Sequence, residues 1–517
     1  MLMKQSVFFL AALLLLQAPL FSQTKTSLPH STPEAEGVSA RGITTFLDSV
    51  ANSKHEFHSF MLLRHGKVIA EGWWNPYRAD LKHTLYSLSK SFTATAVGFA
   101  KAEGKLSLDD TIVSFFPDQL PDTVSPYLSQ LTVKDLLTMS VGQEPDPTGA
   151  IVPDTNWVRR FLALPIAHQP GTTFLYNSMA TFMLSAIVQK VTGEKVMDYL
   201  KPRLFEPLEI TGIDWETSPK GINTGGWGLR LKTEDIAKFA QLFLQKGIWN
   251  GKRILPQGWV EEASTAKIIQ HPDLPQAKRD SSDWEQGYCY QMWRCRHNAY
   301  RGDGAFGQYA IVMPEEDAVI AITSETADMQ GELNLIWNIL LPAMHKGKLP
   351  ADKEADAVLQ QKLASLALPV PENHLTSATL KNINGKTFNI MPNDKHIQTL
   401  SFDFKNNKCL LTVKTDTATY NLSFGAGKWE KGETTMRGPY LVNGNHSLAG
   451  LPAFKIADDY TWMDDNTLKL VMRYIESPHT ETITCHFDGK AITVDLKPSF
   501  NTNAPGAIVT LKGERKE

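Results

Sequence analysis

HTLYSLSKSFTATAVGFA, residues 83–100, decides how the rest of the chain is read, because it sets a serine three residues ahead of a lysine at the head of an apolar run. If a helix begins near Ser87, the i, i+3 spacing puts Lys90 on the same face one turn along, with its amine within reach of the hydroxyl. A serine hydroxyl is a weak nucleophile at neutral pH and needs an adjacent base. A lysine buried among apolar neighbours can lose its proton and fill that part. The head of the helix adds a backbone N–H facing the oxygen of an attacked carbonyl. Phe92, Ala94, Ala96, Val97, Phe99 and Ala100 follow Lys90 with no charge before Lys101, which predicts a helix through a core.

S-x-x-K alone is a weak signal, since average usage yields roughly two chance matches in a chain this long. The chain holds three. Ser22 with Lys25 closes a leader-like segment, and Ser264 with Lys267 follows Glu261 and Glu262 on what reads as a solvated helix. Both read as accidents, so the case for Ser87 depends on context.

The chain has 517 residues, 42% apolar and 21% charged, which is ordinary for a globular protein of several domains. Formal net charge is −3 and no dense Lys/Arg block stands out, so nothing marks a nucleic-acid surface. Residues 1–23, MLMKQSVFFLAALLLLQAPLFSQ, carry one lysine, an apolar run and a polar exit, the pattern of a secretory signal peptide. Gln17 and Pro19 interrupt that run too early for a membrane span, and no cysteine there suits a lipid anchor. The expectation is an exported protein, periplasmic or extracellular, with no stable membrane anchor. Four cysteines are too few for a disulfide scaffold; Cys289 and Cys295 fit either a short bridge or two buried thiols. No H-E-x-x-H and no paired C-x-x-C occurs, so no metal or other cofactor is expected.

Outward from the motif, the spacing predicts a helix over 40–53 and a hairpin about His65-Gly66-Lys67. Further helices are predicted over 131–139, 179–191 and 233–245, the last after Gly225-Gly226-Trp227-Gly228. AYRGDGAFGQYAIVMPEEDAVIAIT, residues 299–323, reads as loop, strand, turn, strand. Residues 346–373 read as a charged connector with one helix-like piece. From 374 the texture alternates, as in Leu400-x-Phe402-x-Phe404 and Ile492-x-Val494-x-Leu496, with Asn384-Gly385 and Asp488-Gly489 as turns. That predicts a separate antiparallel β domain. Gly385-Lys386-Thr387 is no phosphate loop, because Leu380 stands where its upstream glycine belongs, and no G-x-S-x-G elbow is present.

The stretches LLRHGKVIAEGWWNPY, LYSLSKSFTATAVG, EGKLSLDDTI, LTVKDLLTMSVG, PGTTFLYNSMATFMLSAIVQKVTG and GLRLKTEDIAKFAQ occur in this order. Together they make residues 57–323 resemble the serine β-lactamase and penicillin-binding-protein superfamily, with class C β-lactamases and their esterase relatives nearest. The resemblance implies an α+β fold: an antiparallel sheet flanked by helices, with a helical subdomain, over 30–345. A connector over 346–373 and a smaller all-β domain over 374–517 would follow. It also implies that Ser87 is the acylated nucleophile, that Lys90 shares or removes its proton, and that Tyr176 faces the serine as base or relay, its phenolate favoured by nearby ammonium groups. The N–H groups of Ser87 and Ala305 would form the oxyanion hole.

Two departures from the family pattern stand out. Its second motif, Tyr-x-Asn, reads here Tyr176-Asn177-Ser178, so a hydroxyl replaces the amide or the amide moves by one residue. Its third, Lys or His, any residue, then Gly, is matched by Gly302-Asp303-Gly304, with glycine at the cationic position. Arg301 and His297 are the candidates to compensate, and Ser178, Gly302, Asp303 and Gly304 the candidate substrate contacts. The expected activity is cleavage of a small ester or amide through an acyl-enzyme. The alternative is a catalytically impaired family member acting as a binding or regulatory module.

Overall fold

The computed structural model describes residues 28–370, 374–444, 446–504 and 506–516; the leader read at 1–23 lies outside them. Strand β1 (Glu56–Arg64) pairs antiparallel with β2 (Lys67–Trp73) across the expected turn, where His65 and Gly66 both take positive φ. Four more strands, β3 (Trp293–Arg294), β4 (Tyr300–Gly304), β5 (Gln308–Met313) and β6 (Ala318–Glu325), complete a sheet of order β2-β1-β6-β5-β4-β3. The segment YRGDG is therefore a strand and not the loop read from sequence. Its ladder to β5 runs from Val312 opposite Tyr300 to Gln308 opposite Gly304, and its two glycines hide the alternation.

Alternation along β1 sorts its side chains to two cores. Phe60 and Leu62 join one with Phe46 and Leu47 of helix α1 (Ala40–Ala51), while Met61 and Leu63 join the other with Phe92 of α2 (Ser89–Ala102). Helix α3 (Ser178–Thr192) packs on α2, and α4 (Thr233–Leu244) lies on β5 and β6. The α+β architecture thus follows from helices covering both faces of one antiparallel sheet. In the segment read as a connector, helix α5 (Lys353–Ala364) buries Leu359 and Leu363 in the α1 core, and Lys362 pairs with Asp48.

Residues beyond 385 form an all-β barrel. Ten described strands, from Lys386–Ile390 to Val509–Arg515, make one sheet that closes where Thr419–Ala426 meets Phe454–Trp462 in a short parallel pairing; Glu430–Thr434 hangs on the outside. Closure leaves Leu400, Phe402, Leu411, Phe424, Trp462 and Val494 as a core separate from the other two. The barrel is seated on the first domain by buried polar contacts. Arg473 pairs with Glu56 at 2.5 Å, Tyr77 Oη donates to the Ser477 carbonyl at 3.1 Å, and Thr84 N–H donates to the Glu476 carbonyl at 2.9 Å. All four cysteines are buried and unpaired, which decides the Cys289–Cys295 question for thiols. Among the described residues no helix is long and apolar enough to cross a membrane.

Candidate active site

Ser87 sits in a single 3-10 turn, Tyr86–Leu88, and the α-helix proper starts two residues later than its spacing suggested, at Ser89. Tyr86 takes φ 46 there. The turn is tied down on both sides: Leu85 N–H donates to the Leu229 carbonyl at 3.0 Å, Ser89 Oγ donates to the Tyr86 carbonyl at 2.6 Å, and Leu229 N–H donates to Ser89 Oγ at 3.1 Å. Ser87 itself remains half-buried and reachable.

Lys90, one turn along α2, is only 1% exposed, and its Nζ lies 3.0 Å from Ser87 Oγ, 3.0 Å from Ser178 Oγ and 2.7 Å from the Gly226 carbonyl. Burial lowers its pKa from the ordinary lysine value to about 7, against the carboxylates of Asp146 and Asp303, which pull it up. As a neutral amine it donates to Gly226 and Ser178 and turns its lone pair to the Ser87 hydroxyl. Gly226 has to be glycine, since a Cβ would lie 2.7 Å from the Ser178 carbonyl. This contact escaped the sequence reading, although three glycines in the four residues 225–228 were a signal of close backbone approach.

The second motif resolves by division of labour. Asn177 caps α3, its Oδ1 accepting from the N–H groups of Met179 (2.9 Å) and Ala180 (3.1 Å), and it is turned away from the lysine. Ser178, the next residue, holds Lys90 instead. Tyr176 lies close enough to the Ser87 side chain to act on it, with Lys90 Nζ 4.8 Å from its ring centroid. It stacks on Trp293, centroids 5.5 Å apart at 21°. Burial raises its pKa above the ordinary phenol value, and the Asp303 carboxylate raises it further. The expected phenolate character is therefore corrected: burial and the Asp303 carboxylate hold Tyr176 as a phenol, and the pKa of the lysine beside it is lowered to about 7.

The third motif also differs from expectation. Gly302 and Gly304 point at the nucleophile turn and not into an open cleft. A Cβ on Gly302 would meet Leu88 Cδ1 and Ser91 Oγ at 2.6 Å, and one on Gly304 would meet the Leu85 carbonyl at 2.0 Å. Their role is to let β4 press against Ser87's turn, which brings Ala305, the following residue, alongside it. Asp303, between the two glycines, is buried and pairs with Arg301 through Nε at 2.9 Å and Nη2 at 2.8 Å, its charge still felt at Lys90 and Tyr176. Arg301 also donates to the Asp283 carbonyl at 2.8 Å, with its guanidinium 4.4 Å from the Trp284 ring centroid. His297 packs on Trp337, ring centroids 5.3 Å apart. Neither supplies a free cation beside Ser87. Asp146, exposed and acting on Lys90 and Tyr176, carried no local signal in the sequence. Among the described residues no group of three or more His, Cys, Asp or Glu side chains gathers as metal ligands would.

Comparison with known proteins bears on the family and the fold. Residues 56–342 match the family model described as Beta-lactamase. The chain is 26% identical over 292 residues to the 6-aminohexanoate-dimer hydrolase of Paenarthrobacter ureafaciens, covering 52% of this chain and 73% of the relative. Among solved structures, a putative 6-aminohexanoate-dimer hydrolase from Bacillus anthracis superposes with TM-score 0.50 at 21% identity, covering 63% of this chain and 89% of that one. A putative beta-lactamase from Bacteroides dorei superposes with TM-score 0.50 at 16% identity, over 59% of this chain and 99% of the other. At these identities the structural likeness speaks for the fold.

Proposed function

Because the chain belongs to the Beta-lactamase family, we propose that it is a serine hydrolase cleaving a small ester or amide through an acyl-enzyme on Ser87. The observation that carries this reading is a buried lysine with its pKa lowered to about 7, 3.0 Å from a reachable serine hydroxyl. Lys90 takes the Ser87 proton as Oγ attacks the carbonyl, and the N–H groups of Ser87 and Ala305 receive the oxyanion. The proton passes to the leaving alkoxide or amine directly from Lys90 or by way of Tyr176. Water, deprotonated by the same groups, then releases the acid and restores Ser87. The altered motifs that motivate the impaired-module alternative lose weight, because Ser178, at the asparagine position of the second motif, bonds Lys90 Nζ at 3.0 Å. Reaction with a fluorophosphonate followed by intact-mass measurement tests the proposal: one adduct is expected, absent from Ser87→Ala. Equal labelling of both proteins would sink it. The leader read at 1–23 supports export.

The base must be neutral to accept a proton, so kcat/KM should rise with pH through about 7 and level off above it. Below that value Lys90 is an ammonium; above it, an amine. The groups facing it are Asp146, Asp303 with its partner Arg301, and the Tyr176 phenol, none of which reverses this direction. A profile flat between about pH 5 and pH 9 would remove Lys90 as the base.

Small uncharged esters or amides should be better substrates than penicillins and cephalosporins. A β-lactam carries a carboxylate beside its reactive ring, best met by a cation at the third motif. Here Gly302 is packed on Ser91, Arg301 is bound to Asp303, and Asp146 adds negative charge at the rim. Losing one charge-assisted contact costs about 1.5–3 kcal/mol, roughly ten- to a hundredfold in kcat/KM. The measurement sets p-nitrophenyl acetate or butyrate beside nitrocefin, each corrected by its uncatalysed rate. Efficient nitrocefin turnover with negligible ester cleavage would overturn the preference.

A further inference from the structure

The residues flanking the two proposed oxyanion donors share an uncommon backbone conformation. Tyr86, just before Ser87, has φ 46, and Phe306, just after Ala305, has φ 68. Bulky side chains are disfavoured in this left-handed region, so their surroundings must hold them there. Both rings converge on one imidazole, His479, which belongs to the barrel. Its Nε2 is 2.6 Å from Tyr86 Oη, and the Phe306 ring meets it edge-on, centroids 4.7 Å apart at 90°. Phe500 covers another side at 4.2 Å.

The imidazole is itself held in one tautomer. His479 Nδ1 lies 2.7 Å from Glu325 Oε1, and that same oxygen accepts from Ser499 Oγ at 2.6 Å. Burial lowers the pKa of His479, so the ring is neutral with its proton on Nδ1 toward the carboxylate. Nε2 is then free to accept from the Tyr86 hydroxyl, whose oxygen accepts in turn from Leu441 N–H at 3.3 Å. Glu325 ends β6, in the same sheet as β4 and Ala305. One side chain therefore connects the nucleophile turn, the end of β4 and the sheet.

We propose that His479, oriented by Glu325, is a positioning residue that sets the spacing between the Ser87 and Ala305 N–H groups, making the barrel a working part of the catalytic site. The inference rests on the acyl-enzyme reading of Ser87. It acts on the transition state, where a small displacement of a donor weakens its bond to the oxyanion, and leaves ground-state binding almost untouched.

The test uses the full-length chain and the variants His479→Ala, His479→Gln and Tyr86→Phe, with active sites counted by end-point fluorophosphonate titration. Turnover of p-nitrophenyl acetate is compared with that of its thionoacetate, whose sulfur accepts hydrogen bonds poorly and gains little from an oxyanion hole. His479→Ala should lower kcat on the oxoester about ten- to a hundredfold with KM within about twofold, and shrink the oxo-over-thiono preference about tenfold. His479→Gln, whose amide can accept from Tyr86 and donate to Glu325, should recover most of both. If His479→Ala fails to fold, Tyr86→Phe is read by the same ratio and should reduce it. Wild-type kcat per titrated site, or equal losses on both substrates, would overturn the inference. Ser87→Ala run alongside separates the two claims: activity there defeats the acyl-enzyme reading, whereas an inactive Ser87→Ala beside an unchanged His479→Ala defeats only the positioning role.

Discussion

Ser87→Ala is expected to lower kcat about 10⁴-fold or more while the protein stays folded. In the proposed mechanism the hydroxyl is the attacking atom; Ser178, whose hydroxyl also lies 3.0 Å from Lys90 Nζ, is the first residue of α3 and lies outside the turn that carries the proposed oxyanion donor. The loss should be in kcat because the oxyanion donors are backbone groups that alanine retains. Little fold energy is at stake, since Ser87 is half-buried and the turn is held by Leu85, Ser89 and Leu229. Ser264→Ala is the matched control for a chance S-x-x-K and should change nothing; its Lys267 is exposed with Nζ 5.1 Å from the Tyr290 ring centroid. The measurement is ester turnover beside circular dichroism of all three proteins. Comparable kcat in wild type and Ser87→Ala would end the mechanism.

Lys90→Arg should be nearly as damaging, with kcat down about 10³-fold or more, the upper range for loss of a general base. A guanidinium stays protonated at any working pH and cannot take a proton from serine. Its fork is also larger than the space between Ser87, Ser178 and the Gly226 carbonyl, all within 3.0 Å of the present Nζ. The pH profile offers a second readout, since the rise near 7 should vanish with the amine that causes it. An active Lys90→Arg enzyme keeping that rise would show that the lysine supplies charge only and that another group is the base.

The division between what could be read locally and what could not follows the range of the interactions. Ser87 and Lys90 meet because they are one helical turn apart, and the uncharged run behind them predicts the burial that lowers the lysine's pKa. Asn177 before the apolar run of α3 is a recognisable cap, so the transfer of the lysine contact to Ser178 was within reach of a sequence argument. The same holds for Gly302 and Gly304, two residues apart on a strand and hence on one face. The sequence by itself therefore determined the fold class, the meeting of Ser87 with Lys90, and the alternating texture of the C-terminal strands. Only the tertiary structure decided that Tyr176 is a phenol, that Arg301 is bound to Asp303 and closed to substrate, that the barrel shuts on itself, and that His479 reaches Tyr86 across 393 positions of chain. Each of these depends on burial or on partners brought together by packing, and no local periodicity encodes which distant side chain arrives at a given face.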